Sequence, residues 1–241
     1  MSQAAIAQIS TVRNARGWRR VRASGCIVAA LAMFCALPAH AADSAKVTFT
    51  LDFPGSDPEH YSISVSADGH ASYECVARIS ADSEDRDNYQ SEFVFSDIAR
   101  ARIFDLAAQA HYFSGKIDSG NRKLASTGNK KLSYTDGQRT SAAEYNFSHL
   151  VPVQQLTTIF QTTATTLEFG RRLQYDHHYQ KLALDEELKK MEDLAHRGEL
   201  AEIQAVKPIL LQIYQDNSVL NVVRARAERI MEMNKMTTAG Q

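Results

Sequence analysis

Residues 61–79 read "YSISVSADGHASYECVARI", two alternating stretches on either side of one Asp-Gly pair. Tyr61, Ile63 and Val65 recur with a period of two, so one face of this stretch is apolar and the other hydroxyl-rich. Asp68-Gly69 between such stretches is the strongest short-range hairpin signal, because a tight turn of this kind asks both residues for positive φ. The chain therefore opens as antiparallel β-structure, and its neighbours can be read outward from this hairpin.

Upstream, "VTFTLDF" at 47–53 alternates again, with Val47, Phe49, Leu51 and Phe53 on one face, and "PGSDPEH" at 54–60 supplies a turn. Downstream, "ADSEDRDN" at 81–88 reads as an acidic loop and "EFVF" at 92–95 as a short strand. Ser96 then caps a helix over "DIARARIFDLAAQAHYF", with Asp97 in its first turn and Ala99, Ile103, Leu106 and Ala110 as its apolar stripe. After a polar loop the pattern returns. "KKLSYTDGQRTSAAEYNF" at 130–147 is a second hairpin about Asp136-Gly137, and Pro152 opens a helix; a ββα duplication is one reading of this recurrence, against which stands the low identity of the two halves.

From residue 165 the pattern is helical throughout. Thr165 and Glu168 have capping-box spacing for a long helix that reaches Gly198. Pro208 must kink the next helix or begin a new one, and Asp216-Asn217-Ser218 is placed to cap the last. Pro208, Leu210, Asp216, Val223 and Ala227 are loosely similar to one HEAT-type repeat. The expected class is α+β: a small β-hairpin/helix domain over 43–164, a helical extension over 165–236 (a long helix plus a helical hairpin), and a disordered tail at 237–241.

The order of strand, Gly/Pro loop, "YSISVSADGHASYE", helix ending "AHYF", second hairpin and second helix resembles a bacterial secreted domain family of unknown function, over about 47–165. That family carries Cys-Phe-Gly-x-Cys-Pro before its first hairpin. Here the matching stretch is "DFPGSDPEHY", which keeps Gly55 and Pro58 but has Asp57 in place of a cysteine. The resemblance implies the architecture, and neither a cysteine-dependent role nor any activity. The whole chain is also similar to a group of exported proteins of soil bacteria whose function is likewise unknown.

The first 41 residues differ from the rest. They hold five arginines and no acid, then the apolar run "CIVAALAMFCAL" at 26–37, then small residues at Ala39 and Ala41. This is the pattern of a secretory signal peptide over 1–41, with cleavage between Ala41 and Ala42. Its apolar run is too short for a membrane helix, so no stable anchor is expected after cleavage and the product belongs in the periplasm or outside the cell. Without the leader, 22 basic residues face 28 acidic ones, a net charge near −6 that argues against nucleic acid as a partner. Cys75 alone remains, so no internal disulfide can form. It is either a small strand residue or half of an intermolecular disulfide.

"YDHHYQ" at 175–180 has the look of a site. On a helical wheel His177 falls in the stripe of Leu173, Leu184 and Leu188, and His178 points about 100° away. Neither has a second ligand three or four residues off, so any metal would need His177, His178, His111 and His149 to converge from separate elements. Asp118-Ser119-Gly120 lies in a polar loop and reads as a turn, and the acidic residues Asp82, Glu84, Asp85 and Asp87 lack calcium-loop spacing. The chain has no G-x-S-x-G, His-Glu-x-x-His, P-loop or dinucleotide signature. The expectation is a non-enzymatic periplasmic or cell-surface binding module, with no cofactor, whose partner is a protein or another envelope component. A basic strip at Arg224, Arg226 and Arg229 is one motive for it. The alternative is a hydrolase or metal-dependent enzyme built on histidines His111, His149 and His177 gathered in space.

Overall fold

The structure, a computed structural model, describes residues 44–79, 83–121 and 123–239. The signal peptide and its cleavage site at Ala41 and Ala42 lie outside the described residues. The fold is α+β, as the alternation and helical periods predict: the described residues form one six-stranded antiparallel sheet and five α-helices, with a helical C-terminal part. The strands are β1 (Lys46–Asp52), β2 (His60–Ser66), β3 (His70–Arg78), β4 (Arg86–Val94), β5 (Asn129–Thr135) and β6 (Thr140–Tyr145), in the order β4-β3-β2-β1-β5-β6.

The hairpins sit where the Asp-Gly pairs place them, with one change. Only the glycines take positive φ, Gly69 at 93° and Gly137 at 78°. The aspartates fold back as acceptors instead: Asp68 takes the amide of His70 at 3.1 Å, and Asp136 those of Gln138 and Arg139 at 3.1 and 2.7 Å. The loops are longer than two residues, so a single left-handed glycine suffices. β4 begins at Arg86, inside the expected acidic loop. It is an edge strand paired with β3 from Arg78↔Arg86 to His70↔Val94, where polar side chains are tolerated on the open side.

Alternation gives the sheet two unlike faces. Phe49, Ile63, Tyr73 and Leu132 are fully buried on one. Thr48, Thr50, Ser62, Ser64, Ser72 and Ser133 lie on the other, and none of them is buried. The first two helices pack on the apolar face, and the other three pack on the second helix and on one another. The helices are α1 (Asp97–Gln109), α2 (Val151–Tyr179), α3 (Leu184–His196), α4 (Lys207–Gln215) and α5 (Asn221–Ala239). Ser96 caps α1 as read, its hydroxyl accepting from the Ala99 amide at 3.3 Å, and Glu202 in turn holds the Ser96 hydroxyl at 2.9 Å. α1 stops at Gln109, short of Phe113, because His111, Tyr112 and Phe113 all adopt φ between 52° and 63°. Phe113 is buried and the Tyr112 ring packs at a tilt against Tyr134, centroids 4.5 Å apart, so packing holds this strained turn in place.

α2 carries the largest correction. It runs unbroken through 29 residues, so the expected 164/165 domain boundary falls in its middle. Thr165 does not cap a helix; its hydroxyl donates to the Gln161 carbonyl one turn back at 3.0 Å. α2 ends at Tyr179 and α3 starts afresh at Leu184, so the expected single helix to Gly198 is two. α2 packs on the sheet through Val153, Leu156 and Phe160 and on the C-terminal helices through Leu167, Gly170 and Leu173. A Cβ at Gly170 would lie 2.5 Å from Val206 Cγ1, so this glycine sets how closely the two parts approach. Pro208 sits in the first turn of α4, which resolves the kink-or-start alternative as a start. The expected loose tail is helical to Ala239, and 240–241 lie outside the described residues. Among the described residues no helix is long and apolar enough to cross a membrane.

Candidate functional site

The histidines do not converge. His149 precedes α2 and His177 sits near its far end, so about 28 helical rises, roughly 40 Å, separate them. His149 packs edge-on against Phe147, His178 against Tyr179, and His111 is exposed in the left-handed turn after α1. Among the described residues no three His, Cys, Asp or Glu side chains are placed to hold a metal ion. His177 has a different partner. Its Nε2 lies 3.0 Å from Asp216 Oδ2, and Lys181 Nζ lies 2.7 Å from the same oxygen. Asp216, expected to cap the last helix, instead latches the end of α2 to the α4–α5 turn, and α5 begins only at Asn221.

The Lys181 ammonium first, then the Ser218 hydroxyl and amide, hold the Asp216 carboxyl well below its ordinary value. A carboxyl depressed on folding stabilises the fold above its unfolded pKa, and that contribution fades as pH falls below it. Asp216→Asn is therefore expected to melt below wild type at pH 7, with the gap closing from about pH 4 downward. Melting curves across pH check this; a gap that does not change with pH would contradict it.

The basic strip is also spoken for. Arg226 Nε lies 3.0 Å and Arg229 Nε 2.7 Å from Glu192, Arg226 also reaches Asp185, and Arg224 donates to the Tyr214 carbonyl at 2.7 Å. These arginines clamp α5 to α3 and α4 rather than offering a free cationic surface. Asp118 likewise closes a turn, accepting from the Gly120 and Asn146 amides at 2.6 and 3.0 Å.

The buried polar centre was not foreseen. Glu168 is 4% exposed under the sheet. Its Oε1 accepts from Tyr73 Oη at 2.6 Å and from Cys75 Sγ at 3.2 Å; its Oε2 accepts from Arg171 Nε at 3.0 Å. Arg171 passes the chain on to the Arg78 carbonyl at 2.7 Å, tying α2 to the end of β3. Burial, reinforced by Glu168, pushes the Cys75 thiol up to about 12, so it stays protonated and donates. At 3% exposure on the inner face, Cys75 is closed to the intermolecular disulfide that the sequence left open.

A groove runs beside this centre along α2. Gln154, Thr157, Gln161, Thr165, Glu168 and Arg172 recur every three or four residues, so they share one helix face over about 27 Å. They line two cavities. One of about 380 Å³ lies against Lys130, Tyr145 and Phe147, the other of about 370 Å³ against Tyr61 and Asp57, and Gln161 belongs to both. Volumes of this size suit small ligands. The Thr157 hydroxyl gives its proton to the Val153 carbonyl at 2.7 Å, so Tyr145 donates to Thr157 at 2.6 Å and fixes the floor. In the sequence nothing sets this stripe apart from any other polar helix face; only the cross-strand position of Tyr61, Lys130 and Tyr145 turns it into a wall.

Comparison with protein-family models and with curated proteins yields no match.

Proposed function

We propose that this chain is an exported, non-enzymatic binding module of the periplasm or cell surface, and that the groove along α2 holds its ligand. The observation that carries the reading is the polar stripe from Gln154 to Arg172 lining two cavities that meet at Gln161. Gln161 takes no part in a side-chain hydrogen bond among the described residues, so its amide is available to a guest. The leader-like first 41 residues and the resemblance to secreted domains support export.

Native mass spectrometry of the protein expressed with its leader and purified from the periplasm tests this. A mature mass starting at Ala42 is expected, together with a non-covalent adduct that is lost on unfolding. Gln161→Trp fills the junction of the two cavities from a half-buried position and should abolish the adduct with little change in melting temperature. An identical adduct in both proteins, or none in either, would remove the groove from consideration.

A further inference from the structure

We infer that the Lys130 end of the groove is a carboxylate site, and that its ligand is a small acid bearing an apolar or aromatic group. The inference rests on the groove reading and names the ligand class. Lys130 sits on the inner face of β5, in register between Leu51 and Tyr145, and is 4% exposed. A lysine on the apolar side of a sheet is uncommon unless its charge is met. Its Nζ touches Thr127 Oγ1 at 2.7 Å and the carbonyls of Asn146, Thr127 and Gly128 at 3.0, 3.1 and 3.4 Å.

These four oxygens satisfy hydrogen bonding but bring no formal charge. Among the described residues no acidic side chain pairs with Lys130, although ion pairs occur at most other half-buried basic residues. Burial alone acts on the ammonium and pushes its pKa down, with no charged neighbour opposing it. A carboxylate entering the adjoining cavity would supply the missing charge and could replace Thr127 Oγ1 as acceptor. The rest of that cavity sets the remainder of the ligand. The Tyr145 ring and Phe147, 40% exposed at the rim, offer apolar surface, and the Gln161 amide offers a donor. A cavity of about 380 Å³ has room for a phenyl or short alkyl acid.

The test is calorimetric titration of the mature protein with 3-phenylpropionate and with its uncharged amide. The acid is expected to bind one site at least about tenfold tighter than the amide. Lys130→Met should erase that ratio. Because it also strips the loop carbonyls of their donor, a second variant is needed should it not fold. Phe147→Asp removes the same apolar contact from both ligands but adds a negative charge at the exposed rim that only the acid feels, so it should lower the acid-to-amide affinity ratio about tenfold. N-acetyl-Ala-Phe with a free or amidated terminus distinguishes a peptide end from a free acid as the source of the carboxylate. Equal binding of acid and amide, or no binding of either, overturns the inference. If that happens while a co-purified adduct is still lost in Gln161→Trp, the groove reading survives and only the ligand class falls.

Discussion

Glu168→Ala is expected to destabilise the protein by about 3–5 kcal/mol, a large part of the stability of a domain this size. The carboxylate is 4% exposed and links Tyr73, Cys75 and Arg171, three buried groups. Removing it takes away the ion-pair partner of the Arg171 guanidinium, 8% exposed, and leaves only the more distant Asp57 carboxylate to offset its charge. The cost comes from that poorly compensated charge more than from the lost attraction. Glu168→Leu combined with Arg171→Leu should therefore recover much of the loss, because both charges leave together. Urea denaturation of the two variants measures this directly. A single variant within about 1 kcal/mol of wild type would mean that the cluster is solvated and not the centre described above.

Phe160→Ala is expected to cost about 3–5 kcal/mol by a different route. The ring is fully buried, stacked on Phe49 at 5.4 Å with planes 3° apart and edge-on to Phe95 at 6.4 Å. It thus joins α2 to the central strand and to the residue that leads into α1. Truncation leaves a void bounded by β-strands that cannot collapse into it. Phe160→Leu, which keeps most of the volume, should cost less than half as much. The denaturation midpoint should shift while the slope stays the same; a changed slope would indicate a different denatured or native ensemble instead.

The fold class was legible because its signals are local. The Asp-Gly pairs and period-two alternation mark the hairpins, and Ser96 marks the start of α1. The 164/165 boundary rests on the capping-box spacing of Thr165 and Glu168, which the sequence alone cannot tell from a helix interior. In the structure the hydroxyls of Thr157, Thr158, Thr162, Thr165 and Thr166 all donate to carbonyls one turn back, so these threonines continue α2. The site was not legible for a related reason. Whether Gln154, Gln161 and Arg172 face water or a cavity depends on what lies across from them, and those strands are up to about 110 residues away. Arg226 and Arg229 show the converse: a strip that reads as a docking surface is consumed by Glu192 and Asp185.

The position of β1 has a consequence for the order of assembly. Phe49 pairs with Ile63 on one side and with Leu132 on the other. The first junction closes through a short loop, but the second spans about eighty residues of chain. β2, β3 and β4 can zip through local turns as soon as they exist, whereas the middle of the sheet must wait for β5. Contacts this distant in sequence slow folding. Until residue 135 is available, the flank of β1 is an unpaired strand edge, open to any other extended chain. The interval between emergence of β1 and arrival of β5 is thus when this molecule is most prone to pair wrongly.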